Sequence, residues 1–196
     1  MLAFPVSPII DASLQLRIRE LEAENLRLRE RIDFLEGVPS LRAGMHGELL
    51  IAELLQGRIT THTAPHDVVL SEGLTIEVKF ARLNTPNLRF PNSQRWSWAH
   101  PLGQKGGKIY HRLLLIAEAD PRYRDLYRDP MCPYVLFDVP FSEVKYLNSP
   151  QDLIQMTTDP NRTGSGRRMR LFNEFQTTLA ELKNAYGIKT PFNRNA

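Results

Sequence analysis

Glu77, Val78 and Lys79 lie within Thr75-Ile76-Glu77-Val78-Lys79-Phe80, an alternating stretch that predicts a β-strand. Alternate strand residues share a face, so Glu77 and Lys79 project together. A preceding strand is predicted over His66 to Leu70 and carries a second acid, Asp67. Ser71-Glu72-Gly73 between the two is a hairpin-length turn with a glycine. Glu48 adds a third carboxylate from a predicted helix. Acids and an ammonium converging in this way form a divalent-metal site with a built-in cation. Mg²⁺ prefers such oxygen ligands and takes one or two carboxylates plus substrate phosphate. A bound metal acidifies water and offsets charge on a pentavalent phosphate. A lysine near it loses proton affinity and screens developing charge. The chemistry implied is phosphodiester hydrolysis.

Glu-x-Lys is a weak signal alone, because the chain contains it at Glu77–Lys79, Glu143–Lys145 and Glu181–Lys183. Glu181 and Lys183 fall in a predicted helix, where i and i+2 do not share a face. Glu143 and Lys145 follow Pro140, after a strand, with no acid placed to reach them across a hairpin. Only the first copy sits in an alternating strand whose hairpin partner carries an acid.

The elements that must hold this site follow from periodicity and punctuation. Residues 12 to 36 read as one helix with a heptad of Leu14, Ile18, Leu21, Asn25, Leu28, Ile32 and Leu35. Ile at a, Leu at d and one central Asn at a favour a parallel two-stranded coiled coil. The g-to-e pairs Arg17 with Glu22, Glu24 with Arg29, and Arg31 with Glu36 are all attractive in a homodimer. Gly37-Val38-Pro39 ends this helix, and a second runs from Ser40 to Gln56, with Gly44 and Gly47 beside Glu48 for close approach. Strands are expected at Arg58–Thr63, His66–Leu70, Leu74–Phe80, Ile109–Glu118 and Tyr134–Val139. Residues 81 to 108 hold three prolines and three glycines and read as largely loop. A last helix is expected from Arg167 to Tyr186. Two domains result: a dimerisation helix over 1–36 and a catalytic domain over 40–196.

The order helix with Glu48, strand, strand with Asp67, strand with Glu77 and Lys79 resembles the PD-(D/E)XK nuclease superfamily, over about residues 40 to 140. The resemblance implies an α/β fold: a restriction-endonuclease-like core, a central mixed sheet flanked by helices, here with an N-terminal coiled-coil helix. It implies Asp67, Glu77 and the Val78 backbone carbonyl as metal ligands, and Lys79 orienting or deprotonating the attacking water. Glu48 would match the helix carboxylate that completes the site in many members. The metal implied is Mg²⁺, replaceable by Mn²⁺. The family's helix between its third and fourth core strands has no legible counterpart in residues 81 to 108.

The 196-residue chain is 42% hydrophobic and 24% charged, which fits a soluble globular protein with a real core. Its one cysteine, Cys132, excludes an internal disulfide and thiolate zinc sites. With no span of about 20 apolar residues and no convincing leader, the expected location is cytoplasmic. Net charge is only +3, but its placement is informative. Residues 81 to 112 contain no acid and carry Arg82, Arg89, Arg95, Lys105, Lys108 and Arg112, interleaved with Phe90, Trp96, Trp98 and Tyr110. Such a stretch suits DNA phosphate and base contact. Asn87, Asn92, Gln94 and Gln104 have base-reading chemistry, and His100 suits phosphate. A second basic cluster, Arg162, Arg167, Arg168 and Arg170, surrounds Gly164-Ser165-Gly166.

The expectation is a Mg²⁺-dependent endonuclease of double-stranded DNA, acting as a homodimer with one site per strand, of the type II restriction kind. Two alternatives stand beside it. One is a structure-selective endonuclease resembling Holliday-junction resolvases. The other is a catalytically inactive, dimeric DNA-binding protein.

Overall fold

A helix-favouring heptad run, an alternating strand run and a buried apolar run each produce the expected element. The computed structural model describes residues 8–37, 39–61, 63–84, 94–103, 107–162, 166 and 170–188. The chain forms two units, Met1–Arg42 and Ala43–Ala196.

The first unit is dominated by α1 (Pro8–Gly37), about 45 Å long at 1.5 Å per residue. Leu14, Ile18, Leu21, Leu28 and Ile32 are 42–57% exposed along it. The Asn25 side-chain amide donates to the Leu21 carbonyl (3.2 Å). The Leu35 side chain lies outside the described residues.

The second unit contains most of α2 (Pro39–Leu54) and a six-stranded mixed sheet. Its strands, in chain order, are β1 (Arg58–Ile59), β2 (Val68–Val69), β3 (Thr75–Ala81), β5 (Arg112–Glu118), β6 (Tyr134–Pro140) and β8 (Gln176–Thr177). Neighbours in the sheet follow that same order, and only the β3–β5 pair is parallel. The fold is therefore α/β with a mixed central sheet.

Each sheet face packs its own core. One face gathers Ile76, Val78, Leu114, Ile116 and Leu136 with Ile51, Ala52 and Leu55 of α2 and Leu182 of α4 (Leu179–Ala185). The other gathers Leu113, Leu115, Phe137 and Val139 with Val144 and Leu147 of α3 (Phe141–Leu147). Over that second face lies a separate antiparallel ribbon, β4 (Arg95–Ala99) with β7 (Leu153–Thr157).

One expectation is refined and two change. Residues 81–108 are not all loop, because β4 lies within them. Trp96 and Trp98 are 0% and 1% exposed, and their indole N–H groups donate to the Glu118 and Ile116 carbonyls of β5 (2.9 and 3.0 Å). They are core anchors rather than base-stacking residues. The predicted helix over Arg167–Tyr186 is also broken: a π-helical turn (Leu171–Phe175), then β8, then α4. Phe172 belongs to one sheet face and Leu182 to the other, so one straight helix cannot bury both. The chain passes between faces as the edge strand β8. A capping box of Thr178 and Glu181 then starts α4.

Candidate active site

The β2–β3 hairpin brings Asp67 beside Glu77. The turn closes through Gly73, whose φ of +78° favours glycine. Val68 stands opposite Ile76, yet the Asp67 N–H also donates to the Ile76 carbonyl (3.0 Å). Two residues against one is a bulge geometry, which re-aims side chains at the end of a pairing. Asp67 is aimed along β3: its Oδ2 accepts the Val78 N–H (2.9 Å). Because β2 is only two residues long, its pairing with β3 stops at Ile76, just short of Glu77.

Glu77 pairs in register with Leu113, and Lys79 with Leu115, so both acid and lysine share the ribbon-covered face. The Lys79 ammonium meets Glu77 Oε1 at 2.8 Å. Glu77 is fully buried, and its Oε2 has no hydrogen-bond partner. An unpartnered buried carboxylate oxygen is costly unless a cation reaches it.

A second ammonium enters from Lys108, expected on sequence grounds to contact DNA. It stands 2.5 Å from Glu77 Oε1 and 3.6 Å from Asp67 Oδ1. The parallel β3–β5 pairing explains this: Lys108 precedes β5, and His111 is clipped to Thr75 at the start of β3. The signal available in the sequence was that a lysine precedes the buried strand destined to lie beside β3.

Glu48 completes the electrostatic group from α2. Gly47 makes the approach possible, since a Cβ there would lie 3.2 Å from Phe80 Cβ of β3. The Glu48 carboxyl is pushed up to about 7, first by burial and then by the charges of Asp67 and Glu77. Burial and Asp67 likewise raise Glu77, against the lysines. Lys108 is held above its usual value: burial opposes, but its bonds to Glu77 and Asp67 together win.

No family model matches the chain, and neither does any curated protein.

The other copies of Glu-x-Lys serve structure. Glu143 pairs with Arg170 (2.9 Å), and Glu181 is the capping-box acid of α4. Among the expected DNA-contacting residues, Arg170 is held by Glu143 and Glu174, both at 2.9 Å. Gln94 accepts from Arg122 (2.9 Å), Arg95 donates to Gln155 (3.0 Å), and His100 bonds Asp152 (2.9 Å). Arg82 is exposed and only loosely paired with Glu118, at 3.8 Å. Arg89, Asn92, Gln104, Lys105, Arg167 and Arg168 lie outside the described residues.

Among the described residues, no three His, Cys, Asp or Glu side chains stand close enough together to hold a metal ion as they are. Two carboxylates nevertheless flank one ammonium, and one buried carboxylate oxygen lacks a partner. That donor set fits a hard divalent cation, which needs only one or two protein carboxylates.

The raised carboxyls set a pH dependence. In the unfolded chain Glu48 titrates near 4.5, and in the fold near 7. The folded state therefore binds more protons between these values, and stability falls as pH rises through them. Thermal melts of metal-free protein from pH 5 to pH 8 are expected to show this decline, worth about 1–3 kcal/mol. Glu48→Gln is expected to reduce it. A wild-type melting temperature that rises across this range contradicts the placement of Glu48.

Proposed function

We propose that the chain is a Mg²⁺-dependent endonuclease with a restriction-endonuclease-like core. The observation that carries this is the buried Glu77 with an unpartnered oxygen, set between Asp67 and Lys79. Asp67 and Glu77 would hold the metal, with the Val78 carbonyl beside them, while Glu48 acts on the site through its charge. When bound, the metal supplies an acidified water and charge neutralisation at the phosphate. Lys79, held on Glu77, would orient that water and screen the charge that develops on the phosphate. Asp67 is kept in place by the Val78 N–H on Oδ2, so Oδ1, which faces the Lys108 ammonium at 3.6 Å, is the oxygen it offers the metal. Arg82, exposed just past β3, offers charge for the phosphate backbone.

The test is incubation of purified protein with plasmid and with a synthetic four-way junction, with and without Mg²⁺, followed by end sequencing. Discrete plasmid fragments are the expected result. No metal-dependent cleavage of either substrate sinks the enzyme reading and leaves a DNA-binding protein.

A second reading, a structure-selective endonuclease, draws on the burial of Trp96 and Trp98 and the internal pairing of Gln94 and Arg95. These engagements remove four candidates from base reading. Symmetric cuts confined to the junction favour it.

The exposed Leu and Ile seam of α1 supports a parallel homodimer, which would supply one site per DNA strand. Leu21→Glu combined with Leu28→Glu is expected to yield monomers by analytical ultracentrifugation. Each leucine contributes about 1.5–3 kcal/mol when buried. A double variant that stays dimeric shows the seam is not the main contact.

A further inference from the structure

Resting on the nuclease reading, we propose that Lys108 is an internal counter-ion of the metal site. Its ammonium bridges Asp67 and Glu77 in the metal-free protein, is displaced by the divalent ion, and is thereby released toward the substrate phosphate.

Lys108 is the only lysine among the described residues that touches both acids; Lys79 touches Glu77 alone. Both ammonium groups crowd Glu77 Oε1 while Oε2 stands empty. Asp67 Oδ2 is committed to the Val78 N–H, so the oxygen left for a cation is Oδ1, the one Lys108 faces. A divalent ion binding these oxygens would meet a like charge already in place. Coulomb repulsion at such separations remains strong even at an effective dielectric of about 20. Ion and ammonium therefore exclude each other. The doubly charged ion gains more from two carboxylates than the ammonium does.

The stem of Lys108 is built to stay while its head moves. Its N–H donates to the Leu102 carbonyl (3.1 Å). Gly103, at φ +81°, leaves the space the stem crosses, because a Cβ there would lie 2.8 Å from Lys108 Cγ. The side chain is 25% exposed, so the ammonium has a path to solvent. Lys79 projects from β3 itself and keeps Glu77 paired after the exchange. A positive charge leaving the acids as the metal arrives would meet incoming phosphate beside the site, where it is worth most.

Two measurements test the exchange. The first is calorimetric titration with Mn²⁺ of wild type, Lys108→Met, Lys108→Arg and Glu77→Gln. Lys108→Met is expected to bind about tenfold more tightly than wild type, because its internal competitor is gone. Lys108→Arg keeps the charge and should bind no more tightly than wild type. Glu77→Gln should lose the site. If wild type binds and Lys108→Met binds equally or less well, the counter-ion inference fails while the metal site stands. If Lys108→Arg gains as much as Lys108→Met, charge is not the cause and the inference also fails. If neither wild type nor Lys108→Met binds, the metal-site reading itself fails.

The second measurement uses wild type alone and so does not depend on a variant folding. Amines are acetylated with a water-soluble active ester, and Lys108 is quantified by peptide mass spectrometry. Its modification rate should rise about tenfold on saturation with Mn²⁺, as the ammonium leaves its carboxylates. An unchanged rate in protein shown to bind Mn²⁺ overturns the exchange.

Discussion

Glu77→Gln is expected to reduce Mg²⁺-dependent DNA cleavage by about a thousandfold or more, a loss of roughly 4 kcal/mol in transition-state stabilisation. The substitution keeps shape and volume but removes the charge that the proposed metal requires. Glu77 is the innermost group of the site, fully buried and within reach of two ammonium ions. Its replacement therefore leaves two lysines without their buried partner. Both lysine side chains are about a quarter exposed, so their heads can turn to water and folding should persist. DNA binding measured in Ca²⁺ should change by no more than about threefold, since phosphate contacts carry most of it. Lys79→Met should lose cleavage similarly while retaining Mn²⁺ binding, because the role proposed for Lys79 is on the attacking water rather than on the metal. Full-rate cleavage by Glu77→Gln would reduce the cluster to an ion network with no catalytic part.

Why one part of this site could be read in advance and another could not is a matter of interaction range. Glu77 and Lys79 are related by strand periodicity, and Asp67 by a short hairpin, so both relations lie within about a dozen residues of sequence. Lys108 reaches Glu77 only because β5 lies parallel beside β3, across an intervening ribbon strand that pairs elsewhere. Nothing local encodes that contact. β4 was hidden differently. Arg95-Trp96-Ser97-Trp98-Ala99 alternates polar and aromatic residues as a half-buried strand should, and its inward positions are the two tryptophans. Its basic, Pro- and Gly-rich surroundings made the same residues look like a solvent-facing nucleic-acid loop. The two-residue strands β1, β2 and β8 have no periodicity of their own and exist through their partners. The C-terminal apolar spacing looked helical because residues bound for two different sheet faces fell by chance on one helical stripe.

Trp98→Ala is expected to destabilise the fold by about 3–5 kcal/mol. The ring lies in the core of the ribbon-covered face, edge-on to Phe137 at 6.0 Å and beside Trp96 at 6.2 Å. Truncation would open a cavity between the β4–β7 ribbon and the central sheet and remove the indole donor from the Ile116 carbonyl. Typical domain stability is about 5–15 kcal/mol, so the loss consumes a large part of it. Trp98→Phe separates the two contributions: it keeps most of the ring volume and loses the N–H, for about 1–2 kcal/mol. Chemical denaturation of both variants reads these values directly. The ribbon's other indole, Trp96, anchors to Glu118 in the same way, so both tryptophans tie the ribbon to β5. The chain leaves β4 for Gly103 and Lys108 before entering β5, so loosening the ribbon also loosens the lysine that faces Asp67 and Glu77. Trp98→Ala protein that remains folded should therefore show Lys108 acetylated faster than wild type even without metal. The opposite pattern, unchanged stability with weakened DNA binding, would return Trp98 to the surface role that its basic neighbourhood suggests.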